Sequence, residues 1–202
     1  DLRDVNLRRD TLRKKRKDTN LPTVVLVGYT NAGKSTLMNS LTSSAQTVSS
    51  HLFTTLDPLS RALILPGHQR IVLSDTVGFL HQLPHHLIEA FKATLEEVTQ
   101  ADLLIHVLDI SHPQMYEHAE AVKAVLKELE AQEIPVITAL NKIDKLPDPT
   151  WLMKLKHDFQ KAIAISALKK ENLEQLLKMA SQTLLPTKTS LKVLLPMDKM
   201  NL

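Results

Sequence analysis

Gly28-Tyr29-Thr30-Asn31-Ala32-Gly33-Lys34-Ser35 follows the apolar run Val24-Val25-Leu26-Val27 and runs into an amphipathic stretch that opens at Lys34. The octapeptide satisfies G-x-x-x-x-G-K-[ST], and it lies between a strand and a helix start, where the chemistry of that pattern needs it. Gly28 and Gly33 let the backbone curl so that successive N–H groups face inward as an anion nest. The helix N-terminus adds the positive end of its dipole. Lys34 is then placed to reach the β- and γ-phosphates of a nucleotide, and the Ser35 hydroxyl to bind Mg²⁺. Tyr29, Thr30, Asn31, Ala32 and Thr36 complete the expected phosphate-binding segment.

Outward from this loop, short apolar runs alternate with longer amphipathic stretches, the pattern of βαβ units. Strands are expected at Val24–Val27, Ala62–Leu65, Arg70–Ser74, Leu103–Leu108, Val136–Leu140 and Ala162–Ile165. Pro66-Gly67-His68-Gln69 joins the second and third as a hairpin. Helices are expected at Lys34–Leu41, Leu87–Thr99, His118–Ala131, Trp151–Gln160 and Leu173–Leu185. The sum is an α/β fold: a six-stranded, mostly parallel sheet with one antiparallel edge strand and helices on both faces. Ligands of such sheets sit outside the carboxyl ends of the strands, where the motifs fall.

A phosphate loop does not choose a base. Asn141-Lys142-Ile143-Asp144 stands at the end of the run Val136–Leu140, and the Asp144 carboxylate can accept from both N1–H and the exocyclic amine of guanine. Adenine offers no such pair. The Lys142 stem can lie across the base, and Asn141 can tie this loop to the phosphate loop. Ser166-Ala167-Leu168, after the last apolar strand, resembles the fifth motif of GTPases, whose backbone N–H meets guanine O6. The ligand expected is therefore GTP, with GDP as product.

Asp75-Thr76-Val77-Gly78 matches D-x-x-G, in which Asp75 holds Mg²⁺ through water and the Gly78 N–H senses the γ-phosphate. Between the two motifs lies His51-Leu52-Phe53-Thr54-Thr55-Leu56-Asp57-Pro58, where a threonine can complete the Mg²⁺ coordination in the GTP state and release it afterwards. Spacing leaves Thr55 and Thr54 both open. Position 79 is Phe79, not the glutamine that orients water in many such enzymes, so slow hydrolysis, or another assisting group, is expected. Asn31 offers one route, because in several GTPases with a hydrophobic residue at that place an asparagine here coordinates K⁺. Tolerance of unusual backbone angles is the other account of Asn31.

The chain has 202 residues, 43% hydrophobic and 23% charged, enough for one full α/β core. No run of eighteen apolar residues is present, so no membrane span is expected. The absence of cysteine excludes disulfides and thiolate metal sites and fits a reducing cytoplasm. His81, His85 and His86 are interrupted by Pro84, against a helical zinc pair. The formal charge is +3, yet eight of the 25 basic residues and three of the 22 acidic ones fall in the first seventeen positions, leaving the rest at −2. The basic character belongs to the arm Arg3–Lys17.

Four stretches together resemble the HflX GTPases: Gly28–Leu37, Phe53–Pro58, Asp75–Leu80 and Ala90-Phe91-Lys92-Ala93-Thr94-Leu95-Glu96-Glu97-Val98. The last is the most specific, because general GTPase chemistry does not require it. The resemblance spans Leu21–Leu185 and implies a P-loop NTPase fold of the Ras-like G-domain type. It implies GTP hydrolysis with Lys34, Thr55 and Gly78 as catalytic residues and Ser35, Thr55 and Asp75 around Mg²⁺. It favours Thr55 as the switch threonine. It also implies binding to the large ribosomal subunit, both rRNA and protein, and the splitting of stalled or idle ribosomes. Residues 1–20 then read as the end of a basic linker helix, 21–186 as the GTPase domain, expected to be monomeric alone, and 187–202 as the start of a further segment. Arg3–Lys17 reads either as an rRNA-phosphate contact or as a solvated linker face. One departure bears on geometry: Lys170 and Asn172 stand where the family usually carries glycines after Ser166-Ala167.

Overall fold

The structure is a computed structural model and describes residues 21–44, 60–76, 97–146 and 150–184. Strand β1 is Thr23–Val27, rich in β-branched residues, and Val24, Val25, Leu26 and Val27 are each 0% exposed. Such a run is what a central parallel strand covered on both faces demands. Strands β3 (Arg70–Asp75) and β4 (Leu103–Asp109) flank β1 in parallel, with Leu26 in register with Asp75 and Val27 with His106. β5 (Val136–Asn141) and β6 (Ala162–Ala164) extend the sheet beyond β4, and β2 (Ser60–Ile64) closes the other edge antiparallel to β3. The strand order is β2-β3-β1-β4-β5-β6, so the chain leaves β1 to one side and later returns to the other. That reversal opens a crevice above the carboxyl end of β1.

Alternation along the strands divides the core. On one face Val24, Leu26, Ile105, Val107 and Ala139 pack against helices α1 (Lys34–Ser44) and α4 (Leu173–Leu184) through Leu37, Leu41, Leu173 and Leu176. On the other, Val25, Val27 and Leu104 meet Val98 and, in helix α2 (Met115–Glu128), Val122 and Leu126, while Leu108 and Leu140 meet Leu155 and Phe159 around helix α3 (Thr150–Asp158). Burying each large aliphatic side chain stabilises by roughly 1.5–3 kcal/mol.

The expected strands and the antiparallel edge are found, with shifts of a residue or two. Helix α2 differs more: it spans Met115–Glu128, three residues ahead of the expected span at both ends. Its C-terminus closes when Glu130 turns to φ 55°, so that Glu130 N–H donates to Lys127 O and Ala131 N–H to Leu126 O. This is a Schellman closure with glutamate in the place usual for glycine, a stop that apolar spacing does not reveal. The expected Leu87–Thr99 helix is described only at 97–99, which are helical. Thr54, Thr55, Gly78, Phe79, the arm 1–20 and the segment 187–202 lie outside the described residues.

Candidate nucleotide-binding site

The loop from Gly28 to Ser35 joins the end of β1 to the start of α1, and two of its residues can only be glycine. A Cβ at Gly28 would lie 2.4 Å from Val107 O in β4, and one at Gly33, where φ is +102°, would lie 2.3 Å from Asn141 Nδ2. The backbone therefore passes against two neighbouring strand ends, and its first helical hydrogen bond runs from Leu37 N–H to Gly33 O at 2.8 Å. Asn31 adopts φ 60°, which by itself accounts for an asparagine there.

Lys34 is 6% exposed, and its Nζ donates to Gly28 O at 3.0 Å and to Tyr29 O at 3.1 Å, which holds the ammonium at the mouth of the loop. Burial lowers its pKa, and the Asp75 carboxylate opposes that shift. Ser35 Oγ donates to Asp75 Oδ2 at 2.7 Å, while Asp75 Oδ1 is buried without a hydrogen-bond partner. A hydroxyl and a half-satisfied carboxylate, hard oxygens side by side at the helix start, suit a small divalent cation such as Mg²⁺. Thr76 anchors the end of β3 by donating to Leu26 O at 2.7 Å.

The expected base-reading residues converge on the same loop from β5. Asn141 is 2% exposed; its Nδ2 donates to Ala32 O at 2.8 Å and its Oδ1 accepts from Ala167 N–H at 2.9 Å. One amide thus joins the phosphate loop to the Ser166-Ala167-Leu168 segment. Lys142 takes φ 70°, and its Nζ donates to Asn31 O at 2.8 Å and to Asp109 Oδ2 at 2.5 Å. Ser166 Oγ donates to Asp144 Oδ1 at 2.5 Å and steadies the carboxylate. Gly33, Thr36, Asn141, Lys142, Asp144 and Leu168 are among the residues lining a cleft of about 150 Å³ between these segments, and Leu168 is 72% exposed at its edge. The two non-glycine residues of the following turn keep a glycine-like backbone, with φ 58° at both Lys170 and Asn172. Asn172 Nδ2 also donates to Ala164 O at 2.8 Å.

Other described site residues lie on the far side of the phosphate loop. The Tyr29 ring stacks on His118 with centroids 3.8 Å apart and planes 7° from parallel. Thr30 and Asn31 line a second cleft with Asp109 and His112. Asp109 belongs to none of the sequence motifs. Its only signal was an acidic residue ending the apolar run Leu103–Leu108. His106 was likewise missed: it sits inside that run, 5% exposed, with Nε2 unpartnered. Burial first, and then the Lys123 and Lys34 charges, lower its pKa to about 4. Among the described residues no group of three or more His, Asp or Glu side chains could hold a metal ion.

The arrangement can bind a polyphosphate at Lys34 and the loop amides, a hard cation at Ser35 and Asp75, and a guanine edge at Asp144. Comparison with known proteins places the chain among GTPases. The sequence profile of the family described as "50S ribosome-binding GTPase" matches residues 23–142. GTPase HflX of Caldanaerobacter subterraneus subsp. tengcongensis is 43% identical over 198 residues, covering 98% of this chain and 45% of that protein. GTPase HflX of Magnetococcus marinus is 49% identical over 176 residues, covering 87% and 40%. The chain thus spans less than half the length of these relatives. A crystal structure of a GTP-binding protein from Sulfolobus solfataricus in complex with GDP matches with a TM-score of 0.66 and 31% identity, over 89% of this chain and 58% of that one.

Proposed function

The chain belongs to the 50S ribosome-binding GTPase family, to its HflX type, and on that premise we propose that it is the Mg²⁺-dependent GTPase domain of a cytoplasmic factor that binds the large ribosomal subunit and splits ribosomes. The observation that carries the catalytic part is the juxtaposition, above one strand end, of Lys34 in its amide loop and the Ser35–Asp75 pair. Water attacks the γ-phosphorus of GTP, the bond to the β-bridging oxygen breaks, and GDP and phosphate leave.

Lys34 and the loop amides hold the β- and γ-phosphates and meet the charge that builds on the transferring group. Ser35 and Asp75, with Thr55 outside the described residues, hold Mg²⁺. When bound, the ion neutralises phosphate charge and orients the leaving group. The Gly78 N–H contacts the γ-phosphate, and Asp144 accepts from guanine N1–H and its amine while Ala167 or Leu168 N–H meets O6.

Phe79 supplies no water-orienting group, so turnover rises on the ribosome. Asn31 is an exposed residue beside the phosphate site and serves as a K⁺ ligand in this reading. An unchanged rate when Na⁺ replaces K⁺ removes that element. No helix among the described residues is long and apolar enough to cross a membrane. The full-length protein, sedimented with ribosomal subunits in GDP and in a non-hydrolysable GTP analogue, should follow the large subunit in the analogue. Its GTP turnover should rise at least about tenfold with subunits, equivalent to ~1.4 kcal/mol of barrier. Absence of cosedimentation in both nucleotides refutes the ribosomal part and leaves the GTPase assignment standing.

A further inference from the structure

We propose that Asp109 is a positioning residue for guanine: its carboxylate fixes Lys142 across the base cleft and so sets guanine-nucleotide affinity without touching the nucleotide. This rests on the reading of Asn141–Asp144 as the base-recognition segment.

A lysine stem is a long, flexible side chain, and holding it flat against a base costs rotamer freedom unless its tip is anchored beforehand. Lys142 has two anchors, Asn31 O at 2.8 Å and Asp109 Oδ2 at 2.5 Å. The first is a neutral carbonyl on a residue that is itself exposed; the second is a charge-assisted bond, the stronger kind. The two side chains of this pair are 23% and 14% exposed, shielded more than a typical surface ion pair.

Asp109 is in turn held rigidly. Its Oδ1 accepts from Ser111 N–H at 3.0 Å and Ser111 Oγ at 2.6 Å, which leaves Oδ2 aimed at the lysine. Parallel pairing puts Asp109 in register with Asn141, and Ile110 N–H donates to Asn141 O at 3.1 Å, so the ends of β4 and β5 are tied beside the base segment. Burial works against the carboxylate, but the bonds from Lys142 and Ser111 and the Lys142 charge outweigh it and hold its pKa below the ordinary value. The anion is therefore present throughout the neutral range. Lys142 lines the base cleft, whereas Asp109 lines the second cleft with Tyr29 and His118. The carboxylate thus reaches the lysine tip from behind, and its effect passes through Lys142.

The test is a double-mutant cycle on GDP and GTP affinity by titration calorimetry, with GTP turnover at saturation. Asp109→Asn is expected to weaken both nucleotides about tenfold and to leave kcat unchanged. In a Lys142→Ala background the same exchange should add less than about twofold. Ser111→Ala, which keeps the charge and loosens only its aim, should weaken binding about threefold, and this loss too should vanish in the Lys142→Ala background. It decides the matter if Asp109→Asn does not fold. The proposal is overturned if affinity is unchanged in Asp109→Asn, or if the full loss persists without Lys142, the behaviour of a general strand tie. If Lys142→Ala itself leaves affinity intact, the reading of the base-recognition segment falls instead.

Discussion

Asn141→Ala removes one amide that serves two backbone groups at once. Its Nδ2 donates to Ala32 O at 2.8 Å and its Oδ1 accepts from Ala167 N–H at 2.9 Å, both in buried surroundings. Leaving a buried donor and a buried acceptor without partners costs about 1–3 kcal/mol each, so the expected loss is about 2–6 kcal/mol. For a domain of this size 1 kcal/mol corresponds to about 2–4 °C, and the unfolding midpoint should fall by about 10 °C. Asn141→Asp sharpens the test, because it keeps the shape and the acceptor for Ala167 but faces Ala32 O with an oxygen. That oxygen has little room to turn away, since a Cβ at Gly33 would already lie 2.3 Å from Asn141 Nδ2. Aspartate should therefore be at least as damaging as alanine. Circular-dichroism melts at pH 7, with and without GDP, provide the measurement. An alanine variant melting within about 2 °C of the parent, or an aspartate variant milder than alanine, refutes the idea that this amide holds the phosphate loop to the base loop.

His106 carries a pH dependence whose sign follows from its lowered pKa of about 4. The unfolded chain, with an ordinary histidine near 6.5, takes up the proton first, so stability is full above that value and falls as pH drops toward 4, by about 2 kcal/mol at pH 5. Urea midpoints between pH 7.5 and 5 should show this slope in the parent and lose most of it in His106→Leu; equal slopes contradict the assignment. Lys170→Gly relieves a left-handed residue, a strain of about 1–2 kcal/mol, at a glycine entropy cost of about 0.5–1 kcal/mol. It should raise the melting point by one to a few degrees, and a lower melting point would show that the lysine side chain, not the backbone angle, matters there. Ser35→Ala removes one of two neighbouring oxygen donors, so the tightening of GDP binding by Mg²⁺ over EDTA should shrink about tenfold. An undiminished Mg²⁺ effect argues against Ser35 as a ligand.

The order of elements and the phosphate loop were legible because each rests on a local rule. Four consecutive apolar residues with three valines make a strand that can only be buried, and two glycines frame a loop that must curl. The structure adds the reason those glycines are obligatory, which is the approach of Val107 and Asn141 from strands far along the chain. No local pattern contains that information. The same limit explains Asp109, since an aspartate closing an apolar run reads as a turn residue until parallel register sets it beside Asn141 and its neighbour Lys142. His106 shows the converse. Alternation along β4 sends it into the core, yet histidine in an apolar run gives no hint whether it will be paired, and here Nε2 is not. The turn after Ser166 is the most instructive case. Replacing family glycines by Lys170 and Asn172 looked like a change of geometry, but both residues keep positive φ. The turn is bridged by Ser166 and Glu171, whose N–H groups each donate to the other's carbonyl, at 3.3 and 3.0 Å. Asn172 adds a side-chain bond to Ala164 O. Hydrogen bonds across the turn thus hold the backbone that glycine would adopt at no steric cost, so the requirement for the loop's shape belongs to the site, and the residue type only sets how much strain meets it.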